Sequence, residues 1–449
     1  MPSSDSARSR DLARRDRFLK NLSALATRLL YRSVDVHQEF RATGRGPQLG
    51  VASHFGGFAD ALILIHSLDR VPRFIGRDVI WSYPVAKQLM NFVRAIPVHK
   101  PQDSPESGMS RNDQMFASTY DALAESDLVV IFPEGITVDD PAIAPIKTGA
   151  ARIVLGARAN GVEGIEIVPS GIHYEDKALL RSKVYVHVGD PIDIDSWVAE
   201  NTDAGEAEDS SNRDLVTKLT GVIEASLRRA APNFESWQEA RIMKRASGIA
   251  LRTVPGSQVE VDYADESALA DVLASRPDSA KAAITEGLGT YVADLDAVGL
   301  SDEQMMTRHR SRVSFMWRIT WNAAVALVLL PFALVGLVIN LIPMFLVWLV
   351  GKARVDPAMM STVKPAAAIV LFSSAWGIAA WLWSRRFGIE GVAAVLLLMP
   401  LYLYAMVALV ERGQLITRAF GSLFRSGSGL HDGVLEHRSA VVASVVDTI

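Results

Sequence analysis

The sequence of 449 residues contains no cysteine. This absence excludes disulfide bonds, thiolate metal sites and a cysteine nucleophile. A positive excess is missing as well, because 46 Lys and Arg stand against 50 Asp and Glu, which gives a formal net charge of -4. Nothing in the overall charge supports a nucleic-acid partner, and we expect none.

The N-terminal region, residues 1–46, also lacks the long apolar run of a signal peptide, because Leu22–Leu30 is short and is interrupted by Arg28. Apolar residues do recur there at helical spacing among basic ones: the apolar set is Phe18, Leu22, Leu25 and Leu29, and the basic set is Arg14, Arg15, Arg17, Lys20, Arg28 and Arg32. The pattern predicts a basic amphipathic helix. Two interpretations remain open: the helix lies on an anionic membrane surface, or it packs against the next domain.

Charged residues become scarce after about residue 314, where most of the excess behind the hydrophobic content of 49% is found. Three apolar stretches, 323–350, 365–383 and 391–410, are close to or above the roughly 20 residues that cross a bilayer. Prolines inside the first stretch leave open a single kinked span or a re-entrant pair. Soluble core helices show a polar stripe, which these stretches hardly do. We therefore expect a transmembrane region over 313–412.

Between about residues 47 and 195, short apolar runs alternate with amphipathic stretches, which is typical of an α/β domain. The predicted strands are Gln48–Ser53, Arg73–Gly76, Ile96–His99, Leu128–Phe132, Ile165–Ile172 and Lys183–Val188. The predicted helices are Ala59–Leu68, Val85–Val93, Gln114–Ala124 and Thr148–Asn160. We expect a mixed sheet flanked by helices over 47–200, a helical connector over 201–312 and a C-terminal tail over 413–449. The apolar run Val441–Val446 in that tail has no interpretation from the pattern.

A histidine and an aspartate follow the first predicted strand of this domain. His54 stands at the strand end, where α/β folds place their sites. Acyl transfer to an alcohol needs a base, because a hydroxyl is a poor nucleophile until its proton is removed. Asp60 could fix the tautomer of that base and stabilise its imidazolium form. Since a His and an Asp six positions apart also occur by chance, the pair alone does not identify a site.

A second feature is an apolar strand that runs directly into Pro133-Glu134-Gly135. Glu134 could hold the hydroxyls of a polyol acceptor, and backbone N–H groups near Gly135 could face a developing oxyanion. The alternative is a plain strand-terminating turn, in which proline and glycine serve only the turn.

The third feature is basic. Arg77 and Lys100 each follow a predicted strand, so both cations could converge on a phosphate group, with the arginine offering a bidentate grip. The alternative is that each cation is a solvated residue at the rim of the domain.

Taken in order, these features resemble the four blocks of the glycerolipid acyltransferase superfamily, which includes glycerol-3-phosphate and lysophosphatidate acyltransferases. The matching blocks are His54 with Asp60, the segments of Arg77 and Lys100, Phe132–Gly135 and Ile167–Gly171. Further segments resemble the glycerol-3-phosphate acyltransferase branch shared by fungi and bacteria, namely Ala95–Asp103 and Ala144–Arg152, with looser similarity at Tyr291–Leu295 and Gly299–Asp302.

The resemblance implies a role for each matching residue. His54 would be the general base and Asp60 its partner. Lys100, Glu134 and Gly135 would bind the acceptor, and Pro169 belongs to the block associated with the acyl carrier. The family uses acyl-CoA or acyl-carrier protein with a glycerol phosphate acceptor, and it needs no metal or other cofactor. The implied protein is an integral membrane enzyme of phospholipid synthesis, in contact with membrane lipid, with its catalytic domain on the cytoplasmic side.

Some positions depart from the common family pattern. Five residues separate His54 from Asp60 instead of four, Ser53 replaces a frequent asparagine, and Lys100 replaces an arginine. These departures keep alternatives open: transfer to lysophosphatidate or another lipid alcohol, or a catalytically degenerate lipid-binding protein. A hydrolase ranks lower, because no Gly-x-Ser-x-Gly elbow accompanies the histidine.

Overall fold

The structure is a computed structural model, and it describes residues 4–38, 46–98, 108–137, 139–177, 179, 181–203, 205–252, 261–298, 301–307, 312–352, 357–424 and 431–449. The chain divides into two compact units. The first comprises Met1–Ser236 with Pro357–Ser361, and the second comprises Trp237–Asp356 with Thr362–Ile449.

The first unit is built on a sheet, and the strands formed by the described residues are β1 (Ser33–Gln38), β2 (Gln48–Ala52), β3 (Arg73–Arg77), β4 (Ile96–Val98), β5 (Leu128–Ile131), β6 (Glu166–Tyr174), β7 (Lys183–Val188) and β8 (Ile192–Asp193). Their order is β1-β7-β6-β2-β5-β3-β4, and β8 pairs with β6. The strands from β6 through β2, β5 and β3 to β4 run parallel, whereas β7 and β8 run antiparallel to β6. The expected mixed sheet is confirmed.

Two strands were missed by the sequence patterns. β1 carries polar side chains and lies at the edge of the sheet, parallel to β7, so it lacks the buried apolar run that identifies a central strand. β8 has two residues, too few for any periodic signal.

Helices cover both faces of the sheet: α1 (Ser4–Leu30), α2 (Phe58–Ser67), α3 (Pro84–Phe92), α4 (Gly108–Ala124), α5 (Gly149–Ala159), α6 (Ile194–Asn201) and α7 (Arg213–Ala230), with a 3-10 helix at Asp78–Ser82. Alternate residues of a strand point to opposite faces. Accordingly Val129 joins the core under α4 to α7, and Val130 joins the core under α1 to α3. The predicted helices agree closely with α2, α3 and α5, whereas α4 begins earlier than expected.

The first unit continues to Ser236, although the sequence placed the end of this domain at residue 200. The reason is α7, whose apolar stripe is buried on the sheet through Leu219, Ile223 and Leu227. The end of α7 approaches β6 very closely: a Cβ atom added to Gly171 would lie 1.9 Å from the carbonyl oxygen of Ala230.

The second unit is helical in its described residues: α8 (Trp237–Leu251), α9 (Tyr263–Ala274), α10 (Asp278–Val298), α11 (Asp302–Thr307), α12 (Arg312–Val350), α13 (Pro357–Phe424) and α14 (His431–Val446). The tail run that the pattern left uninterpreted belongs to α14, which packs on α8 and α10. Val441 and Val445 are fully buried there, and Arg438 donates to the carboxylate of Asp302. The run is therefore the inner face of a packed helix.

Two helices within the described residues are long and apolar enough to cross a membrane, as judged by length and composition: 319–350 and 363–414. α12 continues through Pro331 and Pro343 as one helix, so the re-entrant pair does not form. The second stretch has 52 residues, or roughly 78 Å of helix, well above a bilayer core of about 30 Å. Gly388, with φ at 60°, breaks it into two parts that correspond to the two later apolar stretches of the sequence.

Candidate active site

The candidate site lies at the carboxyl edge of the parallel strands. His54 follows β2, Phe132 and Glu134 follow β5, and Tyr174 ends β6, which extends past β2 at that edge. In a parallel sheet the strand ends on one edge bring together residues that are distant in sequence, and this edge is where α/β folds bind ligands.

His54 and Asp60 form a pair. Nδ1 of His54 lies 3.0 Å from Oδ2 of Asp60, which is buried in the first turn of α2. The carboxylate also accepts the backbone N–H of Gly56 at 2.8 Å and the hydroxyl of Tyr174 at 2.6 Å. Because Asp60 faces Nδ1, that nitrogen carries the proton and Nε2 has the basic lone pair. The side chain of His54 remains 19% exposed, as a base that meets a substrate requires.

The longer spacing between the two residues is accommodated by two glycines. Gly57 has φ at 59°, in the left-handed region that suits glycine, and it turns the chain into α2. A Cβ atom on Gly56 would lie 2.2 Å from the hydroxyl oxygen of Tyr174, so a larger residue would block the contact of Tyr174 with Asp60. The departure from the common family spacing therefore does not prevent the pair from forming.

Aromatic rings fix the plane of the imidazole. The ring of Phe132 stacks on that of His54, with centroids 4.1 Å apart and planes 20° apart. Phe74, on β3, stacks in turn on Phe132. β5 and β3 are adjacent in the sheet, so their pairing holds Phe74 and Phe132 together. The stacked rings in turn hold the imidazole of His54 in its plane.

Glu134 is buried, with 1% of its surface exposed, and both carboxylate oxygens accept backbone N–H groups. Oε1 accepts from His54 at 2.9 Å, and Oε2 accepts from Ala144 at 2.9 Å. Burial raises the pKa of Glu134, although the hydrogen bonds from Ala144 and His54 oppose the shift. In this arrangement Glu134 joins the His54 loop to the 142–147 segment, because each of its oxygens accepts a main-chain N–H; that it also holds the hydroxyls of a polyol stays a prediction.

A lysine accompanies the Pro-Glu-Gly turn. Gly135 has φ at 67°, and a Cβ atom there would lie 2.8 Å from Nζ of Lys147, so the exposed lysine side chain passes directly over the glycine. The backbone N–H of Lys147 donates to the carbonyl of Pro133 at 2.9 Å, which holds the two segments together. The sequence patterns did not single out Lys147, because its proximity arises only when the chain returns to the turn.

Of the remaining predicted residues, one lies at the site edge, one lies outside the described residues and one is buried within a strand. Arg77 ends β3 at the same sheet edge and is exposed. Lys100 and the neighbouring His99 lie outside the described residues. Pro169 is buried within β6, where it pairs with Val51.

Tyr174 is the functional candidate that the sequence patterns missed. It follows the predicted end of its strand and has no local motif, so only the observed sheet brings it to Asp60. Burial and the charge of Asp60 raise the pKa of Tyr174 well above its usual range, which keeps the hydroxyl a hydrogen-bond donor. Among the described residues, no cluster of three or more His, Asp or Glu is arranged to hold a metal ion.

Comparisons with known proteins show which proteins this chain resembles. A family model named Acyltransferase matches residues 33–173, which include β1 to β5, most of β6 and the described site residues from His54 to Lys147; Tyr174 lies one position beyond the match. Glycerol-3-phosphate O-acyltransferase 2 of Saccharomyces cerevisiae is 30% identical over 200 residues, 43% of this chain and 26% of that protein. Glycerol-3-phosphate O-acyltransferase 1 of the same yeast is 27% identical over 131 residues, 29% of this chain and 17% of that protein.

The chain thus spans about a quarter or less of the length of these yeast proteins. Among solved structures, a 1-acyl-sn-glycerophosphate acyltransferase from Thermotoga maritima aligns with a TM-score of 0.33 and 16% identity. That alignment covers 50% of this chain and 84% of the other.

Proposed function

We propose that this chain transfers a fatty acyl group to glycerol 3-phosphate, because residues 33–173 match the Acyltransferase family model and 200 residues are 30% identical to a yeast glycerol-3-phosphate O-acyltransferase. The acyl donor is acyl-CoA or acyl-carrier protein, and the product enters phospholipid synthesis. The observation that carries the proposal is the His54–Asp60 pair, with its basic nitrogen at an accessible sheet edge.

The proposed chemistry is a single displacement. As the acceptor oxygen attacks the thioester carbonyl carbon, Nε2 of His54 takes the hydroxyl proton. The tetrahedral intermediate then collapses with cleavage of the C–S bond, and the imidazolium gives its proton to the departing thiolate sulfur, which leaves as the thiol. Asp60 stabilises the imidazolium, and the N–H of Gly56 with the hydroxyl of Tyr174 keeps the carboxylate in place.

Two kinds of residue support this chemistry. Glu134 accepts the backbone N–H of His54 and so positions that residue. It does not contact the reacting atoms itself in this proposal. Lys147 and Arg77 supply cations at the edge where an acceptor phosphate would be held, whereas Lys100 lies outside the described residues and its role in acceptor binding is proposed from the sequence alone. The intact His54 arrangement favours an active enzyme over the degenerate lipid-binding protein that the departures in sequence left open.

Membrane anchorage fits this function, because an acylated product partitions into lipid. The helices that contain 319–350 and 363–414 would form the integral anchor. With a water-soluble acceptor and carrier, the catalytic unit would lie on the cytoplasmic side.

The direct test is His54→Ala in the full chain, assayed with labelled acyl-CoA and glycerol 3-phosphate. Loss of the base is expected to lower the rate by at least about 10²-fold. His37→Ala, at an exposed position on β1, is the matched control and should retain activity. Unchanged acylation by His54→Ala would overturn the mechanism. If the native chain acylates lysophosphatidate or another lipid alcohol faster than glycerol 3-phosphate, the proposed acceptor is wrong, whereas the proposed role of His54 as base is unaffected.

A further inference from the structure

The first unit carries an exposed apolar band that is separate from the site. We call it the α1–α3 band, and it consists of Phe18, Leu22 and Leu25 on α1 with Leu89 and Phe92 on α3. The exposed fractions run from 40% for Leu89 to 54% for Phe18. The rings of Phe18 and Phe92 meet edge to face, with centroids 6.0 Å apart, so the two helices form one continuous band.

The exposure of the band does not come from a detached helix. The opposite face of α1 is buried through Leu19, Ser23 and Thr27, and α1 packs on α2. The ammonium group of Lys20 also donates to the carbonyl of Leu68, just past the end of α2. α1 therefore satisfies its packing with one face and leaves the apolar stripe on the other. Soluble proteins seldom leave contiguous apolar surface of this kind without an interaction partner.

Charge identifies that partner. Between residues 11 and 32 there are six basic and two acidic side chains, and Arg14, Arg17 and Arg28 are exposed beside the apolar stripe. An apolar face flanked by arginines suits the headgroup region of an anionic bilayer, in which the apolar side chains enter the acyl boundary and the cations meet phosphates. A second copy of this chain would bring the same arginines against one another, which disfavours self-association.

We propose that the α1–α3 band lies in the headgroup region of an anionic bilayer. The first unit is then a membrane-surface domain in its own right, in addition to the anchorage that the apolar helices of the second unit would supply. α1 leads directly into Tyr31, whose ring lies 6.2 Å from that of Tyr174, so the lipid-contacting helix adjoins the residues that hold Asp60. This inference does not depend on the acyl acceptor or on the proposed reaction.

The absence of cysteine permits a clean test on the full chain. Leu22→Cys, labelled with an environment-sensitive fluorophore, is reconstituted into phosphatidylcholine vesicles with and without phosphatidylglycerol. We expect blue-shifted emission that headgroup-proximal nitroxide lipids quench, and stronger quenching with the anionic lipid. Glu163→Cys, at an exposed turn between α5 and β6, is the control and should emit as in water in both lipids.

A charge variant tests the electrostatic part. Arg14→Gln with Arg28→Gln should weaken the association of the α1–α3 band with anionic lipid, relative to phosphatidylcholine, by about 5-fold per arginine removed. The quenching of the Leu22 label in the two lipids measures this preference. Arg213→Gln with Lys218→Gln, at exposed positions on α7, removes equal charge elsewhere and should leave that preference unchanged. Water-like emission from the Leu22 label in both lipids would overturn the proposal. So would blue-shifted emission that lipid nitroxides fail to quench while the Leu22→Cys chains crosslink, because a protein would then cover the band.

Discussion

Each of the two compact units buries an aspartate that accepts a hydrogen bond from a tyrosine hydroxyl. In the first unit Asp60 accepts from Tyr174 at 2.6 Å, and in the second Asp302 accepts from Tyr291 at 2.7 Å. The other partners differ. Asp60 faces the ring of His54, whereas Asp302 faces two guanidinium groups, Arg252 at 2.6 Å and Arg438 at 2.8 Å.

The difference in partners gives the two aspartates different roles: Asp60 can support a reaction, and Asp302 can only stabilise the fold. An imidazole can gain and lose a proton near neutral pH, so a carboxylate beside it can support proton transfer. A guanidinium stays charged at any ordinary pH, so a carboxylate beside it serves as a fixed clamp. Arg438 also donates to the carbonyls of Ile249 and Arg252. The Asp302 clamp therefore ties α14 to the helices that precede the apolar segment.

The ion pairs of Asp302 also constrain on which side of a membrane α14 lies. This prediction has the largest expected effect, because a cysteine on one side of a sealed vesicle is either labelled or not labelled. α8 to α11 precede the apolar helices and α14 follows them, yet they pack as one body. Because α14 packs with α8 and α10, the number of bilayer crossings between them must be even; if α12 crosses once, α13 with its break at Gly388 can make only one net crossing. In sealed vesicles, Asp296→Cys on α10 and Glu436→Cys on α14 should react with an impermeant maleimide from the same side. Lys352→Cys, at the end of α12, should react only from the other side; labelling of 296 and 436 from opposite sides would refute this topology.

Matched amide substitutions test the comparison of the two aspartates directly. Asp60→Asn should lower the acylation rate on the order of 10³- to 10⁴-fold, because an amide no longer fixes the tautomer of His54 or stabilises its imidazolium. Asp302→Asn should leave the rate of the folded enzyme close to normal and lower thermal stability instead. Initial rates and unfolding temperatures of both variants in detergent measure the two effects. A loss of acylation rate in fully folded Asp302→Asn comparable to that of Asp60→Asn would show that the two aspartates do not differ in role.

The next effect concerns the stability of the clamp. Arg438→Met removes the guanidinium and leaves the buried Asp302 with one fewer counter-charge, which should cost about 3–5 kcal/mol of unfolding free energy. Replacing both partners, as Arg438→Met with Asp302→Leu, should recover only part of that loss, because Arg252 stays largely buried, loses Asp302 at 2.6 Å and keeps the carboxylate of Glu303 at 3.4 Å. Denaturant unfolding followed by tryptophan fluorescence measures both variants. Equal stability of Arg438→Met and the native chain would show that the clamp contributes little.

The comparison also shows where sequence patterns succeed. The central strands and most helices of the first unit have local apolar periodicity, so their positions were predicted closely, and His54 with Asp60 followed from a strand end and a short loop. The connection of α14 to α8 and α10 was not predictable, because it depends on side chains separated by more than 100 residues, as in the contact of Arg438 with Asp302. Glu134 was singled out from the sequence as a candidate, but its burial against two backbone N–H groups became visible only in the fold.

Tyr174 gives the smallest expected effect and the sharpest test of positioning in the site. Tyr174→Phe keeps the ring that packs near Tyr31 and removes only the hydroxyl that donates to Asp60. Since one neutral donor to a charged group contributes about 1.5–3 kcal/mol, we expect kcat to fall roughly 10- to 100-fold while KM for the acyl donor stays nearly constant. Tyr185→Phe, a buried tyrosine on β7, is the control for removing a hydroxyl elsewhere in the sheet. A positioning role acts through Asp60, so Tyr174→Phe added to Asp60→Asn should cost far less than it does alone. Full additivity of the two substitutions would mean that Tyr174 acts independently of the His54–Asp60 pair.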